Sequence, residues 1–341
     1  IPYIINLLED ERVVVDKILG KTTPSNEAKK LLIKIGSQVL PYLFEKFNDE
    51  RTSKNLRIKI IEIISEIKDE NSLIFLEKIV NEKDFDLKEK VIDVLSSNKE
   101  EIDFLIDYYK NADDFIKIKI IIGFGKGKIK EAIPFLYECL KDKNWEIRKY
   151  AIWSIGEIKE NVEIEKLIPL VKDKNEFVRK ELAEAFGKIK DPILISYLIE
   201  LLSDSNWLVK VESIKAAKEI KNERFFEHIL SLLYDKQIEV KLEAIKALAS
   251  FKDKRATLSL ISHLNDRYHL LIREYSAYAL GEIKDKRAIY PLIGLLSSEN
   301  YELKRIARDS LRKITGIDFG YDKEKWYNWA GQNKISSIRE N

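Results

Sequence analysis

The strongest constraint on this chain is that it repeats itself. Residues 142–171 read DKNWEIRKYAIWSIGEIKENVEIEKLIPLV, and variants of that string begin again at Asp173, Asp204 and Asp235. One column shows the period. A basic residue stands at Arg57, Lys88, Lys117, Arg148, Arg179, Lys210, Lys241, Arg273 and Lys304, at spacings of 31, 29, 31, 31, 31, 31, 32 and 31 residues. Three and seven positions later come small or apolar residues, such as Ala151 with Ile155, Leu182 with Phe186, and Ala244 with Leu248. Together with the aliphatic residue just before the basic one, these offsets place an apolar stripe on one face of a helix. Glycine often follows (Gly125, Gly156, Gly187, Gly281), where it either lets a neighbouring helix come close or ends its own helix.

A second apolar helix completes each unit, for example residues 131–140, 194–202 and 288–296. Proline falls early in these second helices, at Pro41, Pro134, Pro169 and Pro291, where a first turn tolerates it. A lone helical hairpin cannot cover its own apolar faces, so the copies must stack. The expected fold is all-α, an α-α superhelix of about nine hairpins over residues 1–314, irregular over 1–47. A cap and tail follow over 315–341, in which Asp322 starts a short helix bearing Trp326, Tyr327 and Trp329. Residues 334–341 are expected to fray. Near the start, residues 1–8 look like a second-half helix, so the chain opens inside a repeat, and Arg12 reads as a degenerate basic position before Leu19 and Gly20. Lys21–Ser25 reads as a loop, with Asn26 capping a helix over 27–35.

The period, with the pattern D-x-x-x-x-V-R-x-x-A-x-x-A-L-G-x-I, resembles HEAT repeats, in particular the short variety named after phycobilisome lyases. The likeness covers about residues 27–314, and the tail looks like those that close many bacterial HEAT arrays. The family supplies scaffolds, adaptors and a few enzymes, so the resemblance speaks to fold more than to function. It further implies that Asp142, Asp173, Asp204 and Asp235 form a ladder between adjacent turns with Arg148, Arg179, Lys210, Lys241 and Arg273.

Composition narrows the function. Charged residues make up 35% of the chain but nearly cancel at a net +2, which argues against a dedicated nucleic-acid or membrane binder. Positions two, five and nine after the ladder residue should line an exposed concave face, and their charges alternate along it, whereas a duplex-binding surface needs a continuous basic stripe. Lys117, Lys119, Lys126, Lys128 and Lys130 do cluster, with Asp113 and Asp114 beside them, and read as a solvated knob. The stretch GFGKGKIK at 123–130 lacks the Walker spacing and a preceding strand; Gly125 is the repeat glycine, and Gly123 and Gly127 read as local loosening. Cys139, the one cysteine, lies on an apolar stripe and reads as a buried inert thiol. His228, His263 and His269 form no metal-binding pair, and no nucleophile motif is present, so no catalytic, cofactor or metal residue is assigned.

Two aromatic spots interrupt the charged face: Tyr150 with Trp153, flanked by Trp145 and Trp207, and Tyr275 with Tyr278. Packing against a neighbouring turn and anchoring a partner are both open to them. Four repeats separate the spots, about 35–40 Å at roughly 9–10 Å per helix layer, a span that an extended partner bridges and a small ligand does not. The expectation is a non-catalytic monomer that binds a protein or peptide on its concave face through Tyr150, Trp153, Trp207, Tyr275 and Tyr278. The family name adds a bilin lyase or chromophore chaperone as one alternative, and nucleic-acid binding is another. No bilayer-length apolar run occurs; a cytoplasmic setting is favoured, with a leader or anchor upstream of Ile1 left open.

Overall fold

A computed structural model describes residues 1–12, 14–16, 20–67, 69–81, 84–265, 267–333 and 335. The chain divides into two compact units, residues 1–162 and 163–341. In the first, the helices are α1 (Pro2–Asn6), α2 (Pro24–Ile35), α3 (Leu40–Asn48), α4 (Lys54–Ile67), α5 (Glu70–Val80), α6 (Phe85–Leu95), α7 (Ile102–Asn111), α8 (Asp114–Lys126), α9 (Ile133–Cys139) and α10 (Trp145–Ile158). In the second they are α11 (Ile164–Leu167), α12 (Glu176–Ile189), α13 (Leu194–Leu202), α14 (Trp207–Ile220), α15 (Phe226–Ser231), α16 (Ile238–Phe251), α17 (Thr257–Ser262), α18 (Leu270–Ile283), α19 (Ile289–Leu295), α20 (Tyr301–Thr315) and α21 (Lys323–Gln332). The basic column falls on the even-numbered helices from α4 to α20, called A helices below; the odd-numbered helices are the B helices. Within each unit the A helices pack side by side in sequence order, and the B helices α3, α5, α7, α9, α13, α15, α17 and α19 each pack on the A helix that follows. Both units are therefore runs of helical hairpins.

The loop before each A helix follows from a short polar code. Asp142, Asp173, Asp204 and Asp235 each accept the N–H of the residue two ahead, at 2.7–2.9 Å. In three of these loops that residue is Asn144, Asn175 or Asn206, whose own side chain caps the helix by accepting the next N–H but one, at 2.8–2.9 Å. The stop is equally regular. Lys190, Lys221, Lys252 and Lys284 take left-handed backbone at φ 54–60°, and each donates its N–H to the carbonyl four residues back. A non-glycine residue gives up roughly 1–2 kcal/mol in that conformation.

Lysine, then, ends the helix in these hairpins, and the repeat glycine three residues earlier does something else. A Cβ on Gly187 would sit 2.9 Å from the Cβ and 3.0 Å from the Cα of Ala216 on the next A helix. Gly281 meets Ser310 in the same way, and Gly125 meets Ser154. Of the two readings open from sequence, close approach is the one realised here. The partner is the residue six after the ladder position, a column of Ser and Ala in these hairpins. Ser154 and Ser310 use the approach to donate to Ile121 O and Ala277 O, at 2.7 and 2.8 Å. Gly123 and Gly127 are not loosening. The helix runs through Gly123, where an added Cβ would overlap the Ser96 side chain, and Gly127 lies against Ser97, whose Cα would be 3.0 Å from its Cβ.

The N-terminal region departs from the expected pattern. In place of an A helix after Arg12, a two-stranded antiparallel hairpin pairs β1 (Val14–Asp16) with β2 (Gly20–Thr22). Arg12 is not a ladder residue; it is exposed and chelates its neighbour Asp10 at 2.5 and 2.9 Å. Leu19 lies outside the described residues. The helix expected from Asn26 starts earlier, because Thr23 caps it, accepting from the Asn26 N–H at 3.2 Å, and Pro24 fills the first turn, where its missing N–H costs nothing.

At the other end α21 packs on α19. Trp326 is fully buried, its indole N–H donating to Gly320 O at 3.0 Å and its ring edge-on to Phe319 at 5.0 Å. Asp322 caps α21. Position 334 and positions 336–341 of the expected tail lie outside the described residues.

Two outcomes test this packing. Alanine normally stabilises a helix interior by about 1 kcal/mol relative to glycine. Gly187→Ala is expected to do the reverse and cost roughly 1–2 kcal/mol in urea unfolding, because α12 and α14 must part to admit the methyl group. Glu101 is buried, and burial raises its pKa, with the carboxylates of Glu77 and Glu100 pushing the same way. An acid raised in the fold contributes fully below its unfolded pKa of about 4.3 and loses that contribution as pH rises through the folded value. Glu101→Gln should therefore be more stable than wild type at pH 7 and equal to it at pH 4.

Candidate functional site

The functional geometry starts at the ladder column. In α12 the Arg179 fork holds Asp204 of the next hairpin at 2.6 and 2.9 Å, while its remaining nitrogen donates to the carbonyl of Asp173 in its own loop at 2.6 Å. Lys210 reaches Asp235 at 2.6 Å, one hairpin further on. Burial works against ionisation of Asp235, yet the Gln237 N–H and the Lys210 ammonium hold its pKa below the usual range. Elsewhere the column meets backbone oxygen: Arg148 donates to the carbonyls of Asp142 and Lys143, Arg57 to Asp49 O, and Arg273 to Leu264 O. For Lys241, position 266, where its Asp counterpart would stand, lies outside the described residues. The Arg179–Asp204 and Lys210–Asp235 contacts join the starts of successive A helices, and the backbone contacts tie each cation to the loop before its own helix. They leave the guanidinium groups turned into the protein.

The face expected to be exposed is half closed. Glu181, Glu212 and Glu243, two positions after the ladder residue, are buried. The reason is that adjacent A helices come so near that a lysine of the preceding helix joins one on the glutamate's own helix at the same carboxylate. Glu212 lies 3.9 Å from Lys180 and 3.1 Å from Lys215; Glu243 lies 3.4 Å from Lys218 and 3.3 Å from Lys246. In the first unit Glu62 takes Lys29 at 3.2 Å and Lys90 at 2.5 Å. Burial opposes its ionisation, but the two ammonium groups keep its pKa low. Lys119 pairs with Glu89. Alternating charge along the helix surface is thus spent inside the protein, between helices.

The aromatic candidates divide. Trp153 lies against Gly125, where an added Cβ would be 2.8 Å from its ring. Tyr150 is half-buried with Lys149 3.9 Å above its ring, and the same ammonium lies 5.5 Å from the Trp145 ring. Tyr275 is half-buried under Lys246 at 5.1 Å. Tyr278 is 45% exposed, with Lys313 4.7 Å above its ring and paired to Glu282. Trp207 is partly exposed at the start of α14. Tyr275 and Tyr278 thus share α18, the first half-buried and the second exposed, while Trp153 goes into packing.

The remaining candidates sit as follows. Lys117 lies over the Tyr109 ring at 5.3 Å, and Lys126, Lys128 and Lys130 are exposed. Cys139 is buried with its Sγ 3.7 Å from the Tyr109 hydroxyl, and burial pushes the thiol up to about 12. His263 is fully buried between Ser259 O at 2.7 Å and Leu233 O at 3.1 Å. Sequence reasoning missed one set of residues. The first turn of nearly every A helix carries an exposed or half-exposed apolar side chain; beside Trp207, already a candidate, these include Phe85, Phe115, Phe177, Leu271 and Tyr301. The signal was present two or three positions before each ladder residue, but it alternates between two columns and so escapes a single-column reading. Among the described residues there is no group of three metal-ligating side chains, and no helix is long and apolar enough to cross a membrane.

The ladder yields a direct test. Arg179 and Asp204 are 13% and 8% exposed, so removing the cation strands a buried carboxylate. Arg179→Met should cost roughly 3 kcal/mol. Lys141→Ala, at an exposed pair with Glu138, should cost under about 0.5 kcal/mol. Urea titration of both variants measures the contrast.

Comparison with known proteins follows the geometry. The family profile for HEAT repeats matches residues 102–186, 164–237 and 226–312, more than half of the chain. No curated protein matches. Among solved structures, Kap121p bound to Nup53p aligns with a TM-score of 0.57 at 12% identity, over 91% of this chain and 41% of Kap121p. YibA of E. coli aligns at 0.46 and 22% identity, over 86% of this chain and 98% of YibA. The CpcE–CpcF phycocyanin lyase complex of Nostoc sp. PCC7120 aligns at 0.40 and 18% identity, over 68% of this chain and 94% of that one. Of these three, the Kap121p likeness, with a TM-score above 0.5, bears on the fold. With the profile spread over three overlapping stretches and the hairpins stacked as they are, the chain belongs to the HEAT-repeat family.

Proposed function

We propose that this protein is a non-catalytic scaffold that binds a protein or peptide segment on its A-helix face, the surface expected to be concave, with Tyr275 and Tyr278 at the centre of the contact. The observation that carries the reading is the state of α18. Most of the A-helix face is closed by paired lysines and glutamates, whereas Tyr278 stands exposed, its ring backed by the Lys313 ammonium and its neighbour Tyr275 backed by Lys246. Tyrosine held rigid by a cation offers a large amphipathic surface at small cost in side-chain entropy, the kind of residue that dominates protein contacts. Tyr150 of the first unit, under Lys149, offers the same kind of cation-backed ring. HEAT-repeat proteins commonly serve as interaction scaffolds, and Kap121p has been solved with a bound protein.

The test compares wild type with Tyr275→Ala/Tyr278→Ala by proximity labelling in the source cell. At least one protein labelled by wild type should drop about tenfold with the variant, as expected for loss of two anchoring tyrosines. Labelling unchanged for every protein would sink the reading. A new visible absorbance band on mixing the protein with a linear tetrapyrrole would favour the chromophore-chaperone alternative instead.

A further inference from the structure

Burial sorts the charges beside these tyrosines by sign. Along α14 and α16 the sequence alternates glutamate with lysine, yet only one of the two reaches solvent. The Glu212 and Glu243 side chains are 11% and 10% exposed, whereas those of Lys215, Lys218 and Lys246 are 47%, 31% and 40% exposed. The numbers are unequal as well. Lys180 and Lys215 converge on Glu212, and Lys218 and Lys246 on Glu243. Lys180 also lies 3.9 Å from Glu184. With Lys180 assigned to Glu184, three ammonium groups still stand over two carboxylates. An ammonium has three N–H donors and no acceptor. The row therefore keeps donors for a ligand, while its acceptors lie beneath them.

α18 continues the row with rings. Tyr275 stands in the column of Glu212 and Glu243, and Tyr278 in that of Lys215 and Lys246. Lys246 joins the two parts, since its ammonium lies both 3.3 Å from Glu243 and 5.1 Å from the Tyr275 ring.

Other carboxylates bound this row. On α14, Glu219 follows Lys215 by one turn and pairs with Lys190 at 3.7 Å. On α18, Glu274 and Glu282 bracket Tyr278 one turn to either side, Glu282 pairing with Lys313. A nucleic-acid strand carries a phosphate at every residue, about one charge per 3.4 Å, and leaves no gap opposite these groups. A protein segment has that freedom. It sets carboxylates over the lysines of α14 and α16 and uncharged apolar surface over α18.

Building on the scaffold proposed above, we infer that the segment bound on the A-helix face of residues 163–341 is acidic. Its carboxylates meet Lys215, Lys218 and Lys246, and an apolar side chain beside them meets Tyr278.

The experiment titrates the full chain with three twelve-residue peptides. They share a serine and leucine background, in which four positions are glutamate, glutamine or lysine. A twelve-residue oligothymidylate is the fourth probe. Amide shifts by NMR on α14, α16 and α18 report binding and its location. The glutamate peptide should bind at least about tenfold more tightly than the glutamine peptide, with an affinity that falls as salt is added. Lys215→Gln/Lys246→Gln should weaken it about tenfold. Glu212 keeps Lys180 and Glu243 keeps Lys218 in that variant, so the fold should survive, as an unchanged circular dichroism spectrum would show. Lys174→Gln/Lys236→Gln removes the same charge from exposed loop positions and should leave binding unchanged. Equal affinity for the glutamate and glutamine peptides, retained binding in the Lys215/Lys246 variant, equal loss in the loop variant, or tighter binding of the oligothymidylate would each overturn the inference. Proximity labelling separates this failure from that of the scaffold itself. A partner lost with Tyr275→Ala/Tyr278→Ala but kept with Lys215→Gln/Lys246→Gln overturns the acidic segment and leaves the tyrosine contact standing. Labelling insensitive to both variants overturns both.

Discussion

No hairpin of this protein has an inside of its own. The apolar stripe of an A helix faces the next A helix and the B helix beneath it, so each hairpin is completed by its neighbours in the unit. Everything else depends on how near two A helices can come. The answer lies in the contact of a glycine with a Ser or Ala one turn further on, as between Gly187 and Ala216. Glycine backbone there lies directly against a side chain of one or two heavy atoms.

That closeness has an electrostatic consequence. When helices stand this near, residues that a helical wheel places on the outer face lie within reach of side chains on a neighbouring helix as well as their own. Glutamates such as Glu212 and Glu243 become buried and remain tolerable only because lysines converge on them. The same proximity lets an arginine on one hairpin grip an aspartate on the next, with a guanidinium fork that fixes both distance and rotation. Register between hairpins is thus set twice, by sterics along the helix and by charge at its start. Surface that neither device closes includes Tyr278 on α18 and the first turns of several A helices.

Much of the fold was legible before any coordinates. A 31-residue period with apolar offsets of three and seven admits helical hairpins and little else, and the short B helices with early prolines were equally plain. The N-terminal hairpin was not, because residues 12–22 match the repeat too weakly to tell a degenerate copy from an interruption. The site was read less completely. Trp153 and Tyr150 share a helix face, yet one fills the space left by Gly125 and the other lies under a lysine. Sequence spacing gives the direction in which a side chain leaves its helix, not what stands opposite.

The sequence by itself determined the hairpin, its period, the positions of its loops and the stripe each helix buries, because these follow from interactions among residues within one repeat. Only the tertiary structure decided which glycines are contacts and which residues end helices. It alone decided which glutamates are interior and which aromatic rings meet water. Those outcomes depend on the distance between two hairpins, and that distance belongs to neither hairpin's sequence alone.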